Sequence, residues 1–183
     1  MEKNVLVPLA DGFEEIEAIT IIDILRRAGA QVITAGLSVR QVRGSHGIKV
    51  TADAVLDDVL DKDFDMIVLP GGVPGAPNLA LDERVITLIQ RLAREQKYTA
   101  AICAAPHVLE KAGVTTGQQV TSHPTWADKM TTAIHTGTRV QKAGRVITGQ
   151  AAGSAMEFAF QLVAELYGEE KVIEVNRGVL GRV

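Results

Sequence analysis

Continuous apolar runs that alternate with helical patterns constrain this chain most. Residues 5–9, 31–36, 64–69 and 98–102 each have the composition of a buried strand, and a long helical pattern over about 14–28 separates the first two. Strands buried on both faces are typical of a parallel sheet that helices cover on both sides. The alternation therefore predicts an α/β fold with a mostly parallel central sheet. We expect residues 1–183 to form one domain.

The remaining elements are predicted from local signals. Asp11 and Glu14 have the spacing of a capping box that opens the first helix, and Gly29 ends that helix. Further predictions follow in chain order: a β-excursion over 41–50, a short helix or turn over 54–60, a loop from Pro70 to a helix over about 82–96, a short strand over 119–121, a helix around 126–130, a hairpin over 139–148 that turns at Ala143 and Gly144, and a helix over 154–167 followed by a terminal helical segment.

Composition excludes several classes of function. The net charge of −3 gives no electrostatic reason to expect nucleic acid or an anionic membrane as a partner. A single cysteine excludes an internal disulfide and a cysteine-cluster metal site, and no histidine pair has helix-borne metal spacing, so no metal and no cofactor are predicted. The chain enters its first strand directly and contains no apolar stretch of about 20 residues. We therefore expect a cytoplasmic protein without a membrane span.

The only cysteine, Cys103, stands where a predicted strand passes into a predicted helix. Pro106 is a residue that favours the first helical turn, and Ala104 and Ala105 are small enough for a sharp strand-to-helix turn. A helix N-terminus favours an anion, so this position predicts a thiol with a lowered pKa. The competing interpretation is a small buried hydrophobic residue. The combined pattern favours a cysteine nucleophile elbow.

Glu17 is the second candidate because it lies on the apolar stripe of its helix, among Ile21 and Ile24. A carboxyl in apolar surroundings has a raised pKa and can be protonated near neutral pH. Glu14 and Glu15 are explained by capping, by the helix dipole or by an exposed face.

Backbone donors and a histidine complete the candidate site. Gly71 and Gly72 follow a buried strand, and adjacent glycines let N–H groups approach a ligand, as an oxyanion hole requires. The N–H of Ala104 is a further candidate donor. His123 follows a weaker strand and precedes Pro124, where it could orient a substrate or move a proton. The residues alone assign no role to His46 or His135.

These residues belong to motifs that resemble the ThiJ/PfpI family, on the branch of the parkinsonism-associated protein deglycase and the bacterial chaperone YajL. The motifs are Gly-Phe-Glu-Glu-Ile-Glu at 12–17, Leu-Pro-Gly-Gly-Val-Pro-Gly-Ala at 69–76, Ala-Ala-Ile-Cys-Ala-Ala-Pro at 100–106, Thr-Ser-His-Pro at 121–124 and Met-Glu-Phe-Ala at 156–159. The resemblance implies a flavodoxin-like three-layer sandwich and a homodimer. It also implies a nucleophilic Cys103, a protonated Glu17 bonded to its sulfur, a nearby His123, and backbone donors at Gly72 and Ala104.

The chain departs from the family pattern at three places. Peptidase-like members carry histidine directly after the cysteine, whereas Ala104 stands here, so a cysteine peptidase or amidase is disfavoured. His46 stands where relatives often have an arginine that reaches an anion site across the dimer. Ala151-Ala152-Gly153 replaces the Gly-Pro-Gly of many close relatives at one wall of the pocket.

Two functional hypotheses follow. The first is a glutathione-independent glyoxalase that converts α-oxoaldehydes such as methylglyoxal to hydroxy acids such as lactate, with apparent deglycase activity on glycated proteins. The second is a redox-sensing stress chaperone for misfolded proteins, whose cysteine oxidises to a sulfinate without significant turnover. An amidotransferase lacks its His-x-Glu pair, and flavodoxin and Rossmann sites lack their phosphate loops.

Overall fold

The predicted central sheet is present in the computed structural model, which describes residues 2–182. The strands in chain order are β1 (Asn4–Leu9), β2 (Gln31–Gly36), β3 (Gln41–Arg43), β4 (Lys49–Thr51), β5 (Ala54–Val55), β6 (Met66–Leu69), β7 (Tyr98–Ile102), β8 (Gln119–Val120), β9 (Ile134–His135), β10 (Val140–Ala143) and β11 (Val146–Gly149). The helices are α1 (Glu15–Arg27), α2 (Gly75–Leu81), α3 (Glu83–Arg94), α4 (Pro106–Lys111), α5 (Pro124–Ala127), α6 (Ala155–Tyr167) and α7 (Glu169–Val179), with 3-10 turns at Leu56–Val59 and Ala152–Ser154.

Seven strands form the main sheet in the order β10-β11-β7-β6-β1-β2-β5. All neighbouring pairs are parallel except β10 and β11, which form the predicted antiparallel hairpin at one edge. The carboxyl ends of β1, β6 and β7 therefore meet at one edge of the sheet, where ligand sites form in open α/β sheets.

Both faces of this sheet are covered, because its central strands are apolar on both sides. In β1, Val5, Val7 and Leu9 are buried in one cluster with α1 and α6, whereas Leu6 faces a second cluster with α3 and α4. This alternation follows from the two-residue period of a strand. The result is the three-layer α/β sandwich that the sequence predicts.

Two local predictions need correction. The loop predicted after Pro70 contains α2, whose Ala76, Leu79 and Ala80 are buried at helical spacing. The capping box is wrong, since Glu14 caps α1 by accepting the N–H of Glu17 at 2.8 Å. Asp11 instead accepts the N–H of Arg43 at 2.8 Å and ties the first loop to β3.

Within residues 2–182, no helix combines the length and apolar character that a bilayer crossing requires.

Candidate active site

The predicted elbow lies between the end of β7 and the start of α4. Cys103 has a φ of 65°, a left-handed conformation that is uncommon for a residue with a side chain. Two backbone bonds hold it there: its N–H donates to the carbonyl of Gly149 at 2.9 Å, and its own carbonyl accepts the N–H of His123 at 2.9 Å. Ala104 is 1% exposed, so the turn has room only for a small residue next to the cysteine.

Glu17 comes to the same place from α1, as its position on the apolar stripe predicts. The side chain is fully buried, and its Oε2 accepts the N–H of Gly71 at 2.8 Å. Its Oε1 is also buried and has no nitrogen or oxygen partner in the described structure. The Cys103 side chain is close enough to this carboxyl to lower its pKa. The structure thus brings Cys103, Glu17 and Gly71 together.

Burial decides the protonation of Glu17. Desolvation raises the pKa of this carboxyl to about 7, and the bonds from Cys103 and Gly71 oppose the rise only in part. The prediction of a raised pKa at Glu17 is therefore confirmed.

The prediction of a lowered pKa at Cys103 is wrong when Glu17 is ionised, because the pKa of the thiol is then raised. Burial raises the pKa of the Cys103 thiol, and the negative charge of Glu17 raises it further, whereas the N–H groups of Ala104 and Gly72 lower it. The helix α4 begins at Pro106, three residues after Cys103, and the groups that oppose burial at the sulfur are these two N–H groups. The two groups titrate as a pair, because protonation of Glu17 removes its contribution to the rise.

The double glycine differs from its predicted role in one respect: the N–H of Gly71 is bonded to Glu17 Oε2 and is not a free donor for a substrate oxyanion. Gly72 has a φ of 97°, and its N–H lowers the pKa of the Cys103 thiol. A Cβ on Gly71 would lie 2.6 Å from Glu17 Oε2 and 2.7 Å from the Cys103 Cβ. Since real Cβ atoms do not approach so closely, only glycine lets the carboxyl and the cysteine meet across this backbone.

We therefore expect Gly71→Ala to destabilise the fold by about 1–3 kcal/mol, because the added methyl overpacks the contact between Glu17 and Cys103. Chemical denaturation measures the change, and the rate of Cys103 alkylation reports the displaced sulfur. Gly178→Ala is the matched control, because a Cβ there meets nothing within 4 Å and the residue lies in α7. Equal stability of Gly71→Ala and wild type would contradict the steric account.

His123 reaches the elbow through its backbone. Its N–H bonds the Cys103 carbonyl, while its Nδ1 accepts the N–H of Thr125 at 3.3 Å and lies 2.9 Å from the Thr125 Oγ1. An Nδ1 that accepts an N–H leaves the ring proton on Nε2. In the described structure the imidazole makes no hydrogen bond to Cys103 or Glu17.

Sequence reasoning missed the role of Glu15. This side chain is only 5% exposed, and its Oε1 accepts the N–H groups of His46 at 2.7 Å and of Ile48 at 3.3 Å. Its Oε2 lies 3.1 Å from the His46 Nδ1. Glu15 therefore holds the turn between β3 and β4 against the start of α1 through these hydrogen bonds. Gly44 was the available signal, since a Cβ there would collide with Glu15.

Glu14, Glu15 and His46 also form the one group of three acidic, histidine or cysteine side chains within residues 2–182 whose ligand atoms lie within 4.8 Å of one another. Both oxygens of Glu15 already bond the β3–β4 turn, and Glu14 Oε2 caps α1. A metal would have to compete with these bonds, so the geometry gives no support for a metal site.

The fold and the site place this protein in one structural class: mostly parallel α/β sandwiches that carry a cysteine at the turn between a central strand and the following helix. The profile of the DJ-1/PfpI family matches residues 3–165. The chain belongs to the DJ-1/PfpI family, which confirms the resemblance seen in the motifs.

Three relatives illustrate the match. Protein DJ-1 homolog A of Arabidopsis thaliana is 42% identical over 97% of this chain and 46% of its own length. The chain therefore spans about half the length of that plant relative. Glutathione-independent glyoxalase DJR-1.2 of Caenorhabditis elegans is 39% identical over 91% of this chain and 89% of its own. The crystal structure of DJ-1beta from Drosophila melanogaster superposes with a TM-score of 0.97, 39% identity and full coverage of both chains.

Proposed function

We propose that this protein is a cysteine-dependent, glutathione-independent glyoxalase that converts methylglyoxal and water to lactate. One observation carries the proposal: the buried Oε1 of Glu17 has no nitrogen or oxygen partner and lies beside the only cysteine. A carboxyl placed in this way can exchange a proton with the sulfur and with a substrate bound to it. The Caenorhabditis elegans relative whose name states this activity supports the choice of reaction.

In the resting site we place the shared proton on Glu17. An ionised Oε1 would be a buried charge with no donor, which is costly, whereas a protonated Oε1 donates to the sulfur. The sulfur then receives this bond together with the N–H groups of Gly72 and Ala104. These three donors oppose the effect of burial on the pKa of the thiol, and we place the thiolate in the resting site on that ground.

The reaction then proceeds without an external oxidant. The Cys103 thiolate adds to the aldehyde carbon, and Glu17 gives its proton to the new alkoxide, which forms a hemithioacetal. The Glu17 carboxylate next removes the proton from that carbon and returns it to the neighbouring carbon through an enediol, while His123 moves the hydroxyl protons. The first carbon is thereby oxidised and the second reduced, which gives a thioester of lactate. Water hydrolyses the thioester and restores the thiol.

The test is conversion of methylglyoxal to lactate by the purified protein in the absence of glutathione, with both compounds quantified. We expect equal molar amounts of methylglyoxal consumed and lactate formed over many turnovers. Consumption that stops at one equivalent per protein, with no lactate, would contradict the proposal. Release of lactate from glycated peptides in the same assay would extend the activity to early adducts on proteins.

The second candidate function is redox sensing by a stress chaperone, and the half-buried sulfur beside a buried carboxyl favours it. Peroxide oxidises the thiolate to a sulfenate and then to a sulfinate, and each step releases one water. A protonated Glu17 would donate to the sulfinate. Intact mass after mild peroxide distinguishes the two functions: a clean gain of two oxygens, with no lactate from the reduced protein, would favour the sensor.

We also propose that the working form is a homodimer in the cytoplasm. Ile16 and Ile19 on α1 are 59% and 45% exposed, and Ile48 of the turn bonded to Glu15 is 58% exposed. Ile16 and Ile19 are one helical turn apart in α1, and Ile48 belongs to the turn bonded to the neighbouring Glu15, so we propose that a second copy of the chain covers these apolar side chains. A cysteine that must stay reduced suits the cytoplasm.

Ile16→Glu is therefore expected to shift the protein from dimer to monomer, because the charge would be buried at the contact between copies. Sedimentation velocity measures the change. Leu81→Glu is the matched control, since Leu81 is 75% exposed and lies on α2, whose buried residues pack against the face of the sheet opposite to α1. A wild-type protein that sediments as a monomer would contradict the proposed dimer.

A further inference from the structure

We propose that His135 is a positioning residue for the Cys103 site, through a contact between its Nε2 and the backbone of Ser122. His135 ends β9, and sequence reasoning gave it no role. The inference deepens the proposed function and rests on it only where turnover is concerned. If it is correct, a residue that does not contact the sulfur helps to hold the backbone of Cys103 in place.

The contact fixes the tautomer of His135. The N–H of Ser122 lies 3.0 Å from the His135 Nε2, and the Ser122 Oγ lies 2.9 Å from the same atom. A backbone N–H can only donate, so Nε2 is an acceptor and the ring proton is on Nδ1. Ser122 has no exposed surface, so this N–H has no water to replace the imidazole.

The pair has the spacing of a serine activated by a histidine, but its burial excludes that interpretation. Full burial keeps the Ser122 Oγ away from any substrate. The same Oγ also contacts the carbonyl of His123 at 3.2 Å. The bond between Ser122 and His135 therefore holds a segment of chain in place and does not generate a nucleophile.

The segment from Thr121 to His123 contacts the elbow through its backbone. Thr121 donates its N–H to the Thr148 Oγ1 at 2.8 Å, and its hydroxyl donates to the carbonyl of Thr138 at 2.6 Å. The N–H of His123 then donates to the carbonyl of Cys103 at 2.9 Å. His135 thus anchors the residue directly before the one that bonds the elbow.

The elbow needs that support because Cys103 has a positive φ. A residue with a side chain stays in this conformation only where its surroundings impose it. Two of those restraints are the bonds of Cys103 to Gly149 and to His123. If the Ser122 N–H loses the His135 acceptor, the segment is free to shift, and the sulfur moves relative to the N–H groups of Gly72 and Ala104.

Two amide variants of His135 test the positioning role, because they differ in the distance to which the side chain carries a hydrogen-bond acceptor. The Oε1 of glutamine occupies the position of a histidine Nε2, whereas asparagine extends only as far as Nδ1. In His135→Asn we expect amide exchange at Ser122 and His123 about tenfold faster, Cys103 alkylation several-fold altered, and the kcat for methylglyoxal about tenfold lower at an unchanged KM. In His135→Gln we expect all three to stay within about twofold of wild type.

The outcomes separate the two proposals. Exchange and alkylation need no turnover, so a wild-type protein that does not convert methylglyoxal overturns the proposed function while these two measurements still decide the role of His135. Wild-type exchange in His135→Asn, or equal losses in both variants, would overturn the positioning role. A rise in exchange that is as large in β6 as at Ser122 would overturn it too, because it indicates a general loss of stability.

Discussion

Replacement of Cys103 by serine is expected to lower the turnover of methylglyoxal by at least about 10³-fold. A serine hydroxyl is a far weaker acid than a thiol, so the buried Glu17 cannot hold it as an anion at neutral pH. The rate of lactate formation under saturating substrate measures the loss. The substitution changes one atom, so the packing of the elbow is preserved.

The control for this variant is its fold. Thermal unfolding of Cys103→Ser should lie close to wild type, because the bonds from Gly149 and His123 involve the backbone of residue 103 and not its side chain. Since the chain has no other cysteine, no second thiol can substitute. A serine variant that is folded and converts methylglyoxal at the native rate would contradict the mechanism.

Glu17→Gln should give the second largest effect, a fall in kcat of about 10²-fold or more. Glutamine keeps the size of the side chain and can accept the N–H of Gly71, but it cannot give a proton to the alkoxide or remove one from carbon. KM should change little, because the loss affects proton transfer and not binding.

Asp23→Asn is the matched control for this neutralisation. Asp23 is a carboxylate on the same helix and forms an exposed ion pair with Arg27 at 2.7 Å. Exposed ion pairs contribute little, so activity and stability should stay near wild type. Equal kcat values for Glu17→Gln and wild type would remove the carboxyl from the mechanism.

The sequence predicted the sheet and the centre of the site because both depend on short periodicities. Apolar runs define β1, β6 and β7, and the position of Glu17 on the stripe of α1 follows from the period of a helix. The elbow was predicted from the small residues after Cys103 and from Pro106.

What the sequence did not predict depends on contacts between distant segments. Glu15 is buried because the β3–β4 turn folds over it, and nothing within α1 signals that turn. His135 and Ser122 are 13 residues apart and meet through their surroundings, not through a motif. The raised pKa of the Cys103 thiol likewise depends on burial and on Glu17, which a helix-dipole argument leaves out.

The central claim is that Cys103 and Glu17 share one proton, which rests on Glu17 and stabilises the thiolate. The pH dependence of Cys103 alkylation by iodoacetamide, in wild type and in Glu17→Gln, tests it most directly. We predict that the midpoint in Glu17→Gln lies about one pH unit above wild type, because a charge-assisted O–H donor is replaced by a weaker amide. A midpoint below that of wild type would show that Glu17 acts on the sulfur as a negative charge, and would contradict the account.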